Sequence, residues 1–111
     1  MSWKIEYYSE KVQQDIMRLP EGLQARYIHL TRRMLVYGPN LREPHTKAMG
    51  NGLFELRLKS MEGIARVFYC TIVGSSIVML HSFIKKTDKT PAREFETAVK
   101  RMEEVQSHAH S

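Results

Sequence analysis

The chain predicts an α+β domain: an N-terminal helical hairpin, an antiparallel β-sheet and a C-terminal helix. Three observations carry this. Up to residue 37 the apolar residues recur at helical spacing, as Val12, Ile16 and Leu19 and then as Leu23, Tyr27, Leu30 and Met34. From Leu53 the period changes to two, with Phe54, Leu56 and Leu58 alternating with Glu55, Arg57 and Lys59. After Pro91 it is helical again, through Phe95, Val99 and Met102.

Taken in order, Trp3 to Tyr8 alternates and reads as an opening strand. Ser9 is placed to cap a helix ending near Leu19, because its hydroxyl can accept from a free amide of the first turn. Pro20-Glu21-Gly22 interrupts that helix. A second helix runs from about Leu23 to Tyr37 and is closed by Gly38-Pro39. Two short helices joined by a tight break pack most economically as an antiparallel hairpin. Residues 38–52 read as a loop, long for a small domain. Three strands follow: Leu53 to Lys59, Ile64 to Val73 and Ile77 to Lys85, with turns at Ser60–Gly63 and at Gly74-Ser75. Thr90 is placed to cap the last helix, with Pro91 at its first position. One domain over residues 1–106 is expected, with a flexible tail over 107–111.

A length of 111 residues suits a single domain with one modest core, and 42% hydrophobic with 26% charged residues is an ordinary globular balance. The net charge of +5 is unevenly spread. Residues 32–93 hold eleven Lys and Arg against four acids, a balance of +7, while residues 1–31 are neutral and 94–111 carry −2. Such a concentrated positive field attracts phosphates or an acidic partner. Cys70 is the only cysteine, which excludes an internal disulfide and CxxC metal sites. It lies in an apolar run and reads as a small core residue. There is no signal-peptide pattern and no apolar run long enough to span a bilayer, so a cytoplasmic protein without membrane contact is expected.

Strand register turns this charge into a site. A two-residue turn at Gly74-Ser75 sets Val73 against Ser76, Phe68 against His81 and Arg66 against Phe83. A turn over Ser60–Gly63 sets Arg57 against Arg66. Arg57, Lys59, Arg66, Phe68, His81, Phe83 and Lys85 then share one face. Phe54, Leu56, Leu58, Val67, Tyr69, Val78 and Leu80 share the other, which is expected to pack on helices. Two opposed arginines destabilise strand pairing unless an anion offsets the repulsion. An RNA phosphate is the first candidate for that anion.

Three segments resemble bacterial toxins of the RelE/HigB superfamily, in its phage-derived, HigB-like branch. They are the run His45-Thr-Lys-Ala-Met-Gly-Asn-Gly-Leu-Phe-Glu-Leu-Arg57, the strand Arg66-Val-Phe-Tyr69, and the closing run His81-Ser-Phe-Ile-Lys-Lys-Thr-Asp-Lys-Thr-Pro91 followed by Glu94 and Ala98. The similarity extends from about Tyr7 to Met102. It implies an antiparallel sheet with helices on one face. It also implies the toxin of a type II toxin–antitoxin pair, neutralised by a cognate antitoxin that is a small helix-turn-helix DNA-binding protein, the complex repressing its own promoter. Toxins of this kind cleave mRNA on the ribosome, so ribosome and mRNA are expected partners. A related branch, the ParE type, inhibits DNA gyrase without cleaving RNA and is the alternative.

Metal-independent RNA cleavage uses the adjacent 2′-hydroxyl as nucleophile. It needs a base, an acid, and cations for the charge that builds on phosphate. Arginine suits the last task, being permanently charged and forked. Arg66, central in the sheet and at a position where the family carries an arginine, is the expected phosphate anchor; otherwise it is a surface arginine paired with Glu55. Arg57 is a second phosphate contact, or else pairs with Glu55 or Glu62. Lys85 is the expected acid or positive charge on the cleft face, with Lys86 beside it. His81 is either an acid or base, since imidazole titrates near neutrality, or a packed strand histidine hydrogen-bonded across the sheet. Phe83 stacks on a base or covers core at the sheet edge. Lys47, Lys59, Lys86 and Lys89 are further RNA contacts, or a solvated basic surface. His45 and Asn51 are placed to touch substrate from the loop. No tyrosine follows Lys86, as one does elsewhere in the superfamily, and the general base is left unassigned. No cofactor motif and no metal constellation is present.

Overall fold

The computed structural model describes residues 2–72 and 74–109. Its elements are β1 (Lys4–Tyr7), α1 (Glu10–Met17), α2 (Glu21–Tyr37), β2 (Thr46–Gly50), β3 (Leu53–Ser60), β4 (Gly63–Ile72), β5 (Ser76–Lys85) and α3 (Ala92–Ala109). Ser9 caps α1 as its chemistry requires, its Oγ accepting from Val12 N at 3.2 Å. The α1 and α2 faces set by helical spacing bury Val12, Ile16, Leu23, Tyr27, Leu30 and Met34 against Leu56, Leu58, Ala65, Val67, Tyr69, Ile77 and Met79 of the sheet.

The strand order is β1-β5-β4-β3-β2. The β3–β4 and β4–β5 pairings are antiparallel, as expected; β2 also pairs antiparallel with β3, and β1 pairs parallel with β5. The expected loop over 38–52 contains an additional edge strand, β2, which pairs with β3 through Thr46↔Leu56, Lys47↔Glu55 and Ala48↔Phe54. Only Thr46 of β2 is buried, so the strand carries no apolar alternation by which it could be recognised. The α3 helix continues to Ala109, so residues 107–109 of the expected tail are helical. Residues 110–111, and the expected pairing of Val73 with Ser76, lie outside the described residues. Among the described residues no helix is long and apolar enough to cross a membrane.

Helices cover both faces of the sheet. The second face carries Leu53, Phe68, Cys70, Val78, Leu80 and Phe83, and α3 covers these with Ala98 and Met102 while Phe95 and Val99 pack at the margin. The expectation of helices on one face fails for a simple reason. Six apolar side chains left in water would cost on the order of 1.5–3 kcal/mol each, so this face needs its own cover.

The β4–β5 register holds a compensating pair of offsets. The turn is one residue longer than expected, so Ile72 faces Ser76 and Cys70 faces Val78. A bulge then places Leu80 as an extra residue between the Tyr69↔Met79 and Phe68↔His81 pairs, and Arg66 faces Phe83 as expected. Beyond the bulge the predicted faces are correct. Before it they invert: Val78 and Leu80 lie under α3, and Met79 takes the α1/α2 face.

Candidate functional site

The second face divides along its strands. Its rows Leu53/Cys70/Val78 and Phe68/His81 lie under α3. Its further rows, Arg57/Arg66/Phe83 and Lys59/Ile64/Lys85, bring in the cations. Arg57 and Arg66 are directly opposed on β3 and β4, as the register requires. Glu55, 3% exposed, stands opposite Phe68 at the β3 end of the covered Phe68/His81 row, one row from Arg57 and Arg66.

Glu55 is the hub of the cluster. Its Oε1 accepts from Arg57 Nε at 3.2 Å and lies 3.6 Å from Arg66 Nε; its Oε2 accepts from Thr90 Oγ1 at 3.3 Å. The Thr90 hydroxyl, expected to cap α3, is thus turned to the cluster, and Pro91 O accepts the first helical amides from Glu94 and Phe95. Arg57 also reaches Glu43 Oε1 at 3.4 Å. Glu62 is not its partner; that carboxylate accepts from the backbone of Gly22 at the start of α2. The Arg66 side chain is only 11% exposed, and its Nε is buried with no hydrogen bond. Burial, and the neighbouring Arg57 charge, push its pKa down from the usual arginine value while Glu55 pulls it up. Arg66 is therefore held by charge in a desolvated position, with its hydrogen-bonding capacity incompletely used.

A cleft of about 330 Å³ opens beside this pair, where the chain enters β2. It is lined by Arg26 of α2, by Pro44 and His45 before β2, by Arg57 and Lys59 of β3, and by Ile64 and Arg66 of β4. Four of its seven lining residues are cations, and none is an acid. The chain enters this corner through a built turn. Asn40 Oδ1 accepts from Arg42 N at 3.0 Å and from Thr46 Oγ1 at 3.3 Å, and Arg42 adopts a φ of 69°. His45 N then donates to Arg42 O at 3.0 Å, and His45 O accepts from Arg57 N at 2.9 Å. The imidazole is thus carried on backbone fixed from both sides.

The family profile of the phage-derived Gp49-like proteins matches residues 14–103, most of the chain. The chain belongs to this family. Its fold is that of E. coli toxin RelE: a double arginine-to-alanine mutant of that toxin, solved in the free state, superposes with a TM-score of 0.66 at 14% identity, over 92% of this chain and 99% of that one. No curated protein matches. The resemblance drawn from the His45–Arg57, Arg66–Tyr69 and His81–Pro91 runs thus holds for family and fold.

Within this Gp49-like chain the predicted residues separate into groups. Arg57, Arg66 and Lys59 line the cleft. Lys85 lies next to it, half-buried opposite Ile64. Lys47 is exposed on the edge strand opposite Glu55, and Lys86 and Lys89 are exposed beyond the end of β5. Phe83, offered as a base-stacking platform, is 9% exposed and packs on Phe68 with centroids 6.0 Å apart, so it is a core residue. His81 is also withdrawn from the cleft. Its Nε2–H donates to Glu94 Oε1 at 2.8 Å, and its Nδ1 lies 3.5 Å from Arg101 Nη1, both partners on α3. It is the strand histidine that ties α3 to the sheet.

Arg26 and the burial of Glu55 were not assigned from the residues, and His45 was read only as a loop contact to substrate. Arg26 comes from the electrically neutral N-terminal third, and only the packing of α2 brings it to the cleft. Glu55 was considered only as a counter-ion. The role of His45 depends on the turn before β2. Cys70 behaves as its apolar surroundings indicate: it is fully buried, and burial pushes its thiol up to about 11. In native protein at pH 8 it should resist iodoacetamide, and it should alkylate fully after denaturation; mass spectrometry of the two samples checks this.

Proposed function

We propose that this Gp49-like chain is the toxin of a type II toxin–antitoxin pair and that it cleaves mRNA on the ribosome. The observation that carries this reading is the opposed Arg57–Arg66 pair beside an acid-free cleft. Such a pair costs sheet stability; the buried Glu55 and the exposed Glu43 offset part of the like charge, and Arg26 and Lys59 add two further cations to the cleft. A phosphodiester fits the remaining positive field, and two guanidiniums suit the charge that grows on its oxygens in the transition state. Membership of the Gp49-like family and likeness to a protein described as a toxin support the same reading. On this view Arg66 and Arg57 hold the scissile phosphate, Lys59 and Lys85 supply further charge, and no metal takes part. A cognate antitoxin would restrain the chain until it is degraded.

The ribosome would order the mRNA, so the protein need only neutralise the phosphate and move protons. Induced expression without the neighbouring gene product should stop labelled amino-acid incorporation before DNA synthesis falls, and should leave cut mRNA at translated sites. Intact mRNA with arrested replication would instead indicate a gyrase-directed inhibitor.

A further inference from the structure

The site as described has cations but no assigned proton acceptor. Most proton-accepting groups near it are already committed. Both oxygens of Glu55 are engaged, by Arg57 and Arg66 on one side and Thr90 on the other. His81 is bonded to Glu94 under α3. The Tyr69 hydroxyl donates to Pro39 O on the other face. His45 is the one imidazole lining the cleft.

We propose that His45 is the general base of this cleft, accepting the proton of the ribose 2′-hydroxyl while Arg57 and Arg66 hold the adjacent phosphate. This rests on the endoribonuclease reading and adds to it the residue that starts the reaction. Four observations carry it. His45 shares the cleft with both arginines and Lys59. Its backbone is tied to Arg42 on one side and to Arg57 on the other, so the residue is held at a fixed place beside the Arg57 strand. It is half-buried, hence partly shielded from water. The groups around it are Arg26, His29 and Arg33 from α2, Arg57 and Lys59 from β3, and Arg66 from β4, with the exposed Glu43 paired to Arg57 at 3.4 Å. Burial, followed by repulsion from Arg33, Arg26 and His29, lowers its pKa below the ordinary imidazole value. A base must be unprotonated before the reaction, and these surroundings favour that form.

The step balances as follows. The 2′-O–H bond breaks and its proton passes to the imidazole nitrogen. The 2′-oxygen forms a bond to phosphorus, and the bond from phosphorus to the 5′-oxygen breaks. The 5′-oxygen takes a proton from the ammonium of Lys59. The products are a 2′,3′-cyclic phosphate and a 5′-hydroxyl. His45 returns its proton to solvent, and Lys59 regains one.

Single-turnover cleavage of ribosome-bound mRNA, measured across pH 5 to 9, tests this. Wild-type activity should rise with pH through a midpoint below the ordinary imidazole value and then level off. His45→Gln should lose roughly 100-fold or more and should lose that acidic limb. His45→Gly should regain activity on addition of free imidazole, which a purely structural histidine would not show. The fold is expected to survive both changes, because the ties to Arg42 and Arg57 use only the His45 backbone; thermal melts verify this. If wild type cleaves and folded His45→Gln keeps the same profile within about threefold, the assignment is overturned while the endoribonuclease reading stands. If wild type leaves ribosome-bound mRNA intact, both fall together.

Discussion

Arg66→Ala is expected to abolish translational arrest while leaving a folded protein. Arg66 sits centrally beside the cleft, opposite Arg57, with its Nε buried and without a hydrogen bond. Its positive charge is therefore delivered in a low-dielectric position, where it acts more strongly than in water. Losing one such transition-state contact costs about 100- to 1000-fold in rate. Arg66→Lys keeps a charge but loses the fork, and it should recover only part of that loss. Amino-acid incorporation after induction, at matched amounts of soluble protein, provides the measurement. Arrest by Arg66→Ala at the wild-type rate would refute the role of this residue.

Glu55→Ala should produce the largest loss of stability among the site variants. The carboxylate is 4% exposed and stands between guanidiniums that are 28% and 11% exposed. Without it Arg57 keeps only the exposed Glu43, Arg66 loses the carboxylate beside it, and the more buried of the two keeps its desolvation cost. Breaking a buried ion pair from one side costs about 3–5 kcal/mol. At roughly 4 °C per kcal/mol for a domain of this size, Tm should fall by about 10–20 °C. Adding Arg66→Met to Glu55→Ala should restore part of the loss, since the double variant no longer buries an unpaired charge. Thermal melts of the four proteins give the coupling. A Glu55→Ala melt within about 2 °C of wild type would show that the carboxylate is not what makes the arginine pair tolerable.

The fold and half of the site were readable for identifiable reasons. Helical spacing in Val12–Leu19 and Leu23–Met34, and alternation in Phe54–Lys59, follow from which side chains must leave water, and both survive in the structure. The Arg57↔Arg66 pairing was readable because the Ser60–Gly63 turn sets it locally. The Phe68↔His81 pairing was correct through two offsets that cancel, a longer turn and the Leu80 bulge; the inverted Val78 and Leu80 are the trace of that cancellation. Phe83 and His81 were placed on the right face but read as open to substrate, because strand register says nothing about which part of a face a helix will cover.

Composition, period and turn chemistry thus determined the order of every element but β2, the helical hairpin, and the meeting of two arginines across one strand pair. These depend on contacts between near neighbours in the chain. Tertiary packing alone decided that α3 covers the apolar rows and leaves the cationic ones, that Glu55 is buried as their counter-ion, and that Arg26 and His45 come to the same cleft. Those outcomes join residues far apart in the chain, such as Arg26 and Arg66 in the cleft and Leu53 and Met102 under α3, through the burial of surfaces elsewhere. No local pattern encodes them, because the free energy that fixes them belongs to the whole core.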